Sequence, residues 1–359
     1  MQPLLGHCVR RGLPSPRAAR ERAFHCGRFS ARQLASNAGE GTLDFAPPIR
    51  IDSLLEEPGA VRQILERHAP YAPVQRYLRS AAEFRNASGS AAQRHLIAPN
   101  FRGDWAFEGR VEPGAELFLE HRGLADAAAR LFGSPLVRPF AVFSNITWQL
   151  PFAQGGGHTD VPAFRGIDRQ DHPTWLLTTM GHSRLFEAER IRIATAVAWF
   201  YEGADGGFEY WADGPDAPPT VHEGSISNTA IVGDNDFMYH RVRPVGRRED
   251  GLLSGMTLDT RLEHASGDEW RIVDGDRTLA RPDFRSLRVS VSWKAYVFRD
   301  EEERERVDAG GDALAIEDVW DRFYADLEAR GIAFDRPAVP QDDEAFIDLL
   351  SKVYKREPG

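Results

Sequence analysis

The spacing of apolar residues changes twice along this chain. In residues 113–132, Leu117, Leu124, Ala128 and Leu131 fall on one face at helical spacing. Pro113 suits a first turn and Gly133 an end. Before it, residues 48–78 suit short helices around Pro58, Pro70 and Pro73, and 81–92, rich in Ala and Ser, read as a loop. After Gly133 the residues become β-branched and aromatic. Residues 137–150 (VRPFAVFSNITWQL) predict a strand, broken by Gly155, Gly156 and Gly157. Residues 175–191 read as a helical insertion. Strands are expected over 193–201, 207–211, 225–232 and 237–245, with turn formers at 233–236. Residues 270–273 and 277–280 can pair across Asp274-Gly275-Asp276. The clearest strand is 287–298, where Leu287, Val289, Val291 and Trp293 alternate with Arg288, Ser290, Ser292 and Lys294. Helical spacing returns in 316–330 and 344–354.

Helices, then about eight strands, then helices predict a mainly β protein with flanking helices. Its core is expected to be a double-stranded β-helix, a jelly roll of cupin-like form. The expected division is a tail at 1–43, an N-terminal helical support at 44–134, a jelly-roll catalytic core at 135–300 and C-terminal helices at 301–359. Residues 1–43 hold seven Arg, with only Glu21 and Glu40 as acids. They read as a disordered tail or an over-extended start, with a cytoplasmic location expected. The alternative is a mitochondrial transit segment with Arg28-Phe29-Ser30 near its processing point.

Composition narrows the chemistry. Hydrophobic residues are 42% and charged residues 27%, ordinary for a globular protein. The most apolar run, 193–201, is too short to span a bilayer, so no membrane partner is expected. A net charge of −10 disfavours a nucleic-acid partner, while a small-molecule substrate remains open. Oligomeric state is not legible. Cys8 and Cys26 are the only cysteines. A metal in the folded region must therefore be held by His and carboxylate, the ligands of harder ions such as Fe(II) or Mn(II). Lysine occurs only at 294, 352 and 355.

His158-Thr159-Asp160 follows the glycines. Residues i and i+2 of extended chain point the same way, so this His and Asp can bind one ion from one side. The plain alternative is a loop histidine and a turn aspartate. His240, 80 residues beyond Asp160, lies in a strand-like stretch and can supply a third ligand; alone it would read as a core histidine. Two His and one carboxylate occupy one face of an octahedron and leave three positions open.

With Arg288-x-Ser290 on the last strand, this pattern resembles the 2-oxoglutarate-dependent dioxygenase superfamily over roughly residues 137–298. The resemblance implies Fe(II), 2-oxoglutarate as co-substrate, and O2. It implies release of succinate and CO2, coupled to hydroxylation or a related C–H oxidation of a small molecule. Arg288 and Ser290 would hold the distal carboxylate of 2-oxoglutarate. A guanidinium fork matches a carboxylate and a hydroxyl adds a donor. With Asp160 filling the third protein position, hydroxylation, desaturation or ring closure is favoured over halogenation. One departure stands out. Arg288 lies 48 positions after His240, farther than the family pattern, so 249–284 must be inserted, and the nearer Arg243 is an alternative anchor.

Asn145, Thr147 and Gln149 alternate on the preceding strand and can face 2-oxoglutarate, or simply be polar sheet positions. Phe164, Arg165 and Trp175 are candidates for the substrate mouth, with lid packing as the other reading. The stretches 161–190 and 249–284 are expected to shape the pocket. Competing functions are a non-catalytic jelly-roll binding protein and a cupin-type metal dioxygenase that does not use 2-oxoglutarate. No GxSxG, GxxxxGK[ST], GxGxxG or HExxH pattern is present.

Overall fold

The structure, a computed structural model, describes residues 46–77, 97–152, 156–355 and 358. The reading of 1–43, the expected loop at 81–92 and Gly155 lie outside the described residues. The chain divides after Asp44, and Phe45 onward forms one compact unit. No helix among the described residues is long and apolar enough to cross a membrane.

Strand β1 (Ile49–Ile51) precedes helix α1 (Gly59–His68), which buries Val61, Ile64 and Leu65. Then come β2 (Ala72–Pro73), β3 (Asn100–Phe107) and β4 (Arg110–Val111). The sequence reading assigned no strand at β3. Its NFRGDWAF run mixes Gly103 and two charges with apolar residues, and its register shifts between Asp104 and Ala106, which breaks the period of two. The single helix expected over 113–132 is two, α2 (Glu116–Leu119) and α3 (Arg122–Phe132). His121 separates them and caps α3, its Nδ1 accepting from Leu124 N at 3.3 Å. Gly133, in the left-handed region at φ 66°, ends α3.

The β-rich part follows: β5 (Val137–Thr147), β6 (Ala163–Phe164), helix α4 (Thr174–Ser183), β7 (Arg190–Ile191), β8 (Ile193–Phe200), β9 (Phe208–Tyr210), β10 (Thr220–His222), β11 (Thr229–Gly233) and β12 (His240–Val242). β13 (Arg261–Ser266), β14 (Glu269–Asp274), β15 (Arg277–Ala280) and β16 (Arg288–Val297) complete it. Helices α5 (Glu301–Asp308), α6 (Ile316–Ala329) and α7 (Glu344–Tyr354) close the chain. The protein is thus mainly β, with several antiparallel sheets and a few helices. The large sheet runs β1-β11-β8-β16-β5-β3-β2, with β4 beside β3. A small sheet runs β10-β9-β12, and a bridge from His240 to His158 extends its edge.

Alternation along β16 assigns each residue its layer. Val289, Val291, Trp293, Ala295 and Val297 join the main core with Leu65, Phe118, Leu124 and Ala128 from the helices. Arg288, Ser290, Ser292 and Lys294 point the other way, toward the small sheet. Between the two sheets Trp199, Tyr201, Phe208, Ile226 and Ile231 form a separate cluster, with Trp199 and Phe208 at 5.1 Å.

The stretches expected to shape a pocket also build hydrophobic cores. The sheet β13-β14-β15, with the predicted pairing across Asp274-Gly275-Asp276, sends Leu262, Trp270 and Ile272 into the main core, and Leu262 bridges to Tyr71. The stretch 161–190, through α4, builds a second core with α6 and α7 around Phe164, Leu177, Phe186, Phe323 and Leu350. Trp293, 1% exposed, is the largest side chain that β16 gives the main core. Trp293→Ala is expected to lower unfolding free energy by about 3–5 kcal/mol in urea titration. A loss under about 1 kcal/mol would mean that this core is loosely packed.

Candidate metal centre

Gly157 sits at φ +100°, and a Cβ there would lie 3.1 Å from the Trp211 ring. Only glycine takes that turn cheaply, and it delivers His158 to the edge of β12. There His158 and His240 exchange backbone hydrogen bonds, His158 N to His240 O at 3.0 Å and the reverse at 2.9 Å. Two residues on, Asp160 N donates to Asn235 O at 2.7 Å, in the turn between β11 and β12. Backbone pairing thus fixes both ends of the His-x-Asp segment before any side chain acts.

The side chains converge. One ligand atom from each of His158, Asp160 and His240 lies within 4.8 Å of the others. The two imidazoles are 4.5 Å apart at 53°, and His240 Nε2 is 3.8 Å from Asp160 Oδ1. His240 Nδ1 lies 3.0 Å from Met238 O. A carbonyl can only accept, so Nδ1 carries the proton and Nε2 offers its lone pair to the centre. The other oxygen of Asp160, Oδ2, accepts from Lys294 Nζ at 2.7 Å and from Thr195 Oγ1 at 3.2 Å.

The protonation states of the ligands suit a metal. Burial, with His240 adding to it, depresses the His158 imidazole to about 4 against the pull of Asp160. An edge of His158 is exposed, and solvent there moderates the shift. For Asp160, burial alone would raise the carboxyl, but Lys294 and His240 outweigh it and hold it below the usual range. Near neutral pH, His158 is unprotonated and Asp160 ionised, as ligands to a metal must be.

The far end of β16 carries a second feature. Arg288 is 1% exposed and sits across from Thr147. Its Nε donates to Gly206 O at 2.5 Å, and a Cβ on Gly206 would strike Arg288 Cδ at 2.6 Å. Its Nη2 is buried without a hydrogen-bond partner, and no carboxylate among the described residues pairs with it. Asp205, which would otherwise be the nearest candidate, accepts from the Tyr201 hydroxyl and from Gly246 N. Burial pulls the Arg288 guanidinium down to about 10, against the opposing influence of Tyr201 and Asp205. A buried, incompletely satisfied guanidinium costs several kcal/mol, which an incoming carboxylate would offset.

Ser290 is buried on the same face, opposite the half-buried Asn145. Thr147 Oγ1 donates to Asn100 Oδ1 at 3.1 Å. Gln149 instead ties down the inserted loop, donating to Arg247 O and Gly251 O. Arg243 is at the surface, 44% exposed and paired with Glu223, with no part in the buried face of β16. The three mouth candidates go elsewhere. Phe164 is buried against Phe186, Arg165 donates to Ala188 O, and Trp175 stacks on Trp320. Their only signal was that they follow the metal loop, and the second core took Phe164 and Trp175. Sequence reasoning missed Lys294, Thr195 and Tyr201. Lys294 had a signal: it shares the alternation of Arg288 on a chain with three lysines.

A buried ion cluster braces the turn beneath Asp160. Arg190 donates to Asp234 at 2.5 Å and to Asp236 at 3.2 Å, and Phe237 lies under the guanidinium at 4.1 Å. Burial drives the Asp236 carboxyl upward despite Arg190, with Asp234 adding to the rise. The folded protein therefore keeps a proton that the unfolded chain releases near pH 4. That part of the stability falls as pH rises above about 4.

No family model matches the sequence, and no curated protein matches it. Solved structures do match, at low identity. One is an oxidoreductase of the 2OG-Fe(II) oxygenase family from Burkholderia pseudomallei, at 11% identity over 76% of this chain and 93% of that one, TM-score 0.37. Another is a Pseudomonas putida prolyl-4-hydroxylase, at 13% over 72% and 95%, TM-score 0.33. A third is HygX from Streptomyces hygroscopicus with nickel, 2-oxoglutarate and hygromycin B bound, at 11% over 76% and 88%, TM-score 0.35. Likeness this distant carries no function across by itself; the side chains must.

Two outcomes follow from this geometry. His158→Ala, Asp160→Ala and His240→Ala should each weaken Mn(II) binding by more than the ~10–100-fold typical of outer-shell changes, with far-UV circular dichroism unchanged. Undiminished binding in any of the three removes that residue from the centre. Asp236→Asn should gain stability relative to the native chain as pH rises from 5 to 8, read by urea unfolding. Parallel pH profiles would mean that Asp236 is ionised in the folded state.

Proposed function

We propose that this protein is an Fe(II)- and 2-oxoglutarate-dependent oxygenase acting on a small molecule. One observation carries the reading. A His-Asp-His cluster of metal-binding geometry at the edge of the small sheet and a buried guanidinium with an unpartnered Nη2 on the large sheet both face the space between the two sheets. The strand order supports a jelly roll. β5, β8, β11 and β16 lie in the large sheet, while the His158 edge, β9, β10 and β12 lie in the small one. Apart from the β9-β10 hairpin, which stays in the small sheet, the chain passes back and forth between them, in keeping with a double-stranded β-helix.

In this reading His158, Asp160 and His240 would hold the iron, with the keto acid and O2 as its co-substrates. Arg288 and Ser290 hold the distal carboxylate of 2-oxoglutarate, and Asn145 and Thr147 line the same wall. With the keto acid bound, iron supplies oxidative decarboxylation to succinate and CO2, coupled to oxidation of a substrate C–H bond. The chain's own contribution is placement. Arg288 fixes the orientation of the keto acid from one end, and the imidazoles and Asp160 fix it from the other. Trp199 and Phe208, packed between the sheets, keep bulk water from the slot. Thr195 and Lys294 hold Asp160 by one oxygen and leave the other toward His240.

The test is anaerobic addition of Fe(II) and 2-oxoglutarate. A visible metal-to-ligand band should appear, and succinate should be released once O2 and a substrate are admitted. Arg288→Ala should weaken 2-oxoglutarate binding by about 30-fold or more while sparing the metal. Arg243→Ala should leave both unchanged. Succinate release indifferent to Arg288→Ala would transfer the reading to a dioxygenase that uses no keto acid.

A further inference from the structure

We infer that Lys294 is a positioning residue that weakens the bare triad as a metal site and defers tight metal binding until an anionic co-ligand arrives. The inference rests on the oxygenase reading for the identity of that co-ligand, 2-oxoglutarate, and on geometry for the rest. Lys294 Nζ is 2.7 Å from Asp160 Oδ2, and Asp160 is its only ion-pair partner among the described residues. The side chain is 18% exposed. Register fixes its direction: Lys294 sits between Ala141 of β5 and Thr195 of β8, on the face shared with Ser292, Ser290 and Arg288. Ala141 is small and leaves the ammonium room to reach Asp160.

The charge count has a consequence. A carboxylate and two neutral imidazoles offer a metal ion one negative charge. Here an ammonium on the same carboxylate cancels it. The outer-shell partners of a histidine ligand accept its hydrogen bond, raise its basicity and strengthen metal binding. Lys294 does the reverse: it donates to the ligand, withdraws charge from it and repels a dication. Orientation does not depend on it alone, because Thr195 Oγ1 also donates to Oδ2. Removing the lysine therefore removes mainly charge. 2-Oxoglutarate brings two negative charges, and Arg288 neutralises one. The other restores what Lys294 has cancelled, so metal and keto acid strengthen each other's binding by one shared factor.

The test uses Mn(II), followed by electron paramagnetic resonance of the free ion, with and without 2-oxoglutarate. Lys294→Gln keeps a donor near Asp160 and removes the charge; Lys294→Met removes both; Lys294→Arg keeps the charge. Both neutral variants should bind Mn(II) alone about tenfold tighter or more than the native chain. The strengthening by 2-oxoglutarate should be smaller in them, and Lys294→Arg should restore native behaviour. If the Met variant fails to fold, the Gln variant carries the comparison. Neutral variants that bind Mn(II) no tighter, or more weakly, overturn the inference. If 2-oxoglutarate strengthens binding equally in all four proteins, the keto-acid reading stands and the role of Lys294 falls. If the neutral variants bind tighter yet 2-oxoglutarate changes nothing in any protein, the role of Lys294 stands and the keto-acid reading falls.

Discussion

The pairing of β16 with β5 on one edge and β8 on the other governs both the core and the site. A strand held on two edges cannot rotate, and a slip by one residue would exchange its faces. In the native register Trp293 and its apolar neighbours go to the helices, while Arg288, Ser290, Ser292 and Lys294 go to the inter-sheet space. After a slip, two cations would meet the helical core and a tryptophan would meet the candidate metal ligands. The hydrophobic term that drives the sheet against α3 is therefore also what aims the polar row. Fold and site are specified by one register.

The two cations of that row are in opposite situations. They are six residues apart, roughly 20 Å along the strand. Lys294 is satisfied within the chain by Asp160, at the metal end. Arg288, at the other end, is more deeply buried and keeps Nη2 unpartnered. Asp205, which might have paired with it, is instead engaged by Tyr201 and Gly246. A protein that needed Arg288 only for stability would do better with an apolar residue of similar volume. A buried cation left short of a partner makes sense where a ligand completes it. The same logic explains why Arg243, fully served by Glu223 at the surface, makes a poor anchor.

What could be read from the chain followed from how local each signal was. The period of two in β16 and the His-x-Asp spacing are local, and they pointed to the candidate metal triad and to the inward face of Arg288 before any contact was known. β3 was not legible, because a bulge near Trp105 and the charges at Arg102 and Asp104 erase its period. β10 was missed because two of its three residues face solvent. Phe164 and Trp175 follow the metal loop closely in sequence, but their destination is set by α6 and α7, more than 100 residues away. Lys294 shows the same limit from the other side. Its direction was legible, but its partner was not, since a contact spanning 134 positions leaves no trace in local spacing.

The 48-residue interval between His240 and Arg288 was the one departure from the family pattern, and the fold accounts for it. Lengthening a connection costs only about 0.6 kcal/mol per doubling. Here the added chain recovers that cost by building β13, β14 and β15 and burying Leu262, Trp270 and Ile272 in the main core. Sequence distance between site residues is thus weakly constrained, because an insertion can stabilise itself elsewhere. Strand register is strongly constrained, because nothing elsewhere can compensate for turning a face over. A pattern that fixes the number of residues between site positions takes no account of such an insertion, whereas strand register survives it.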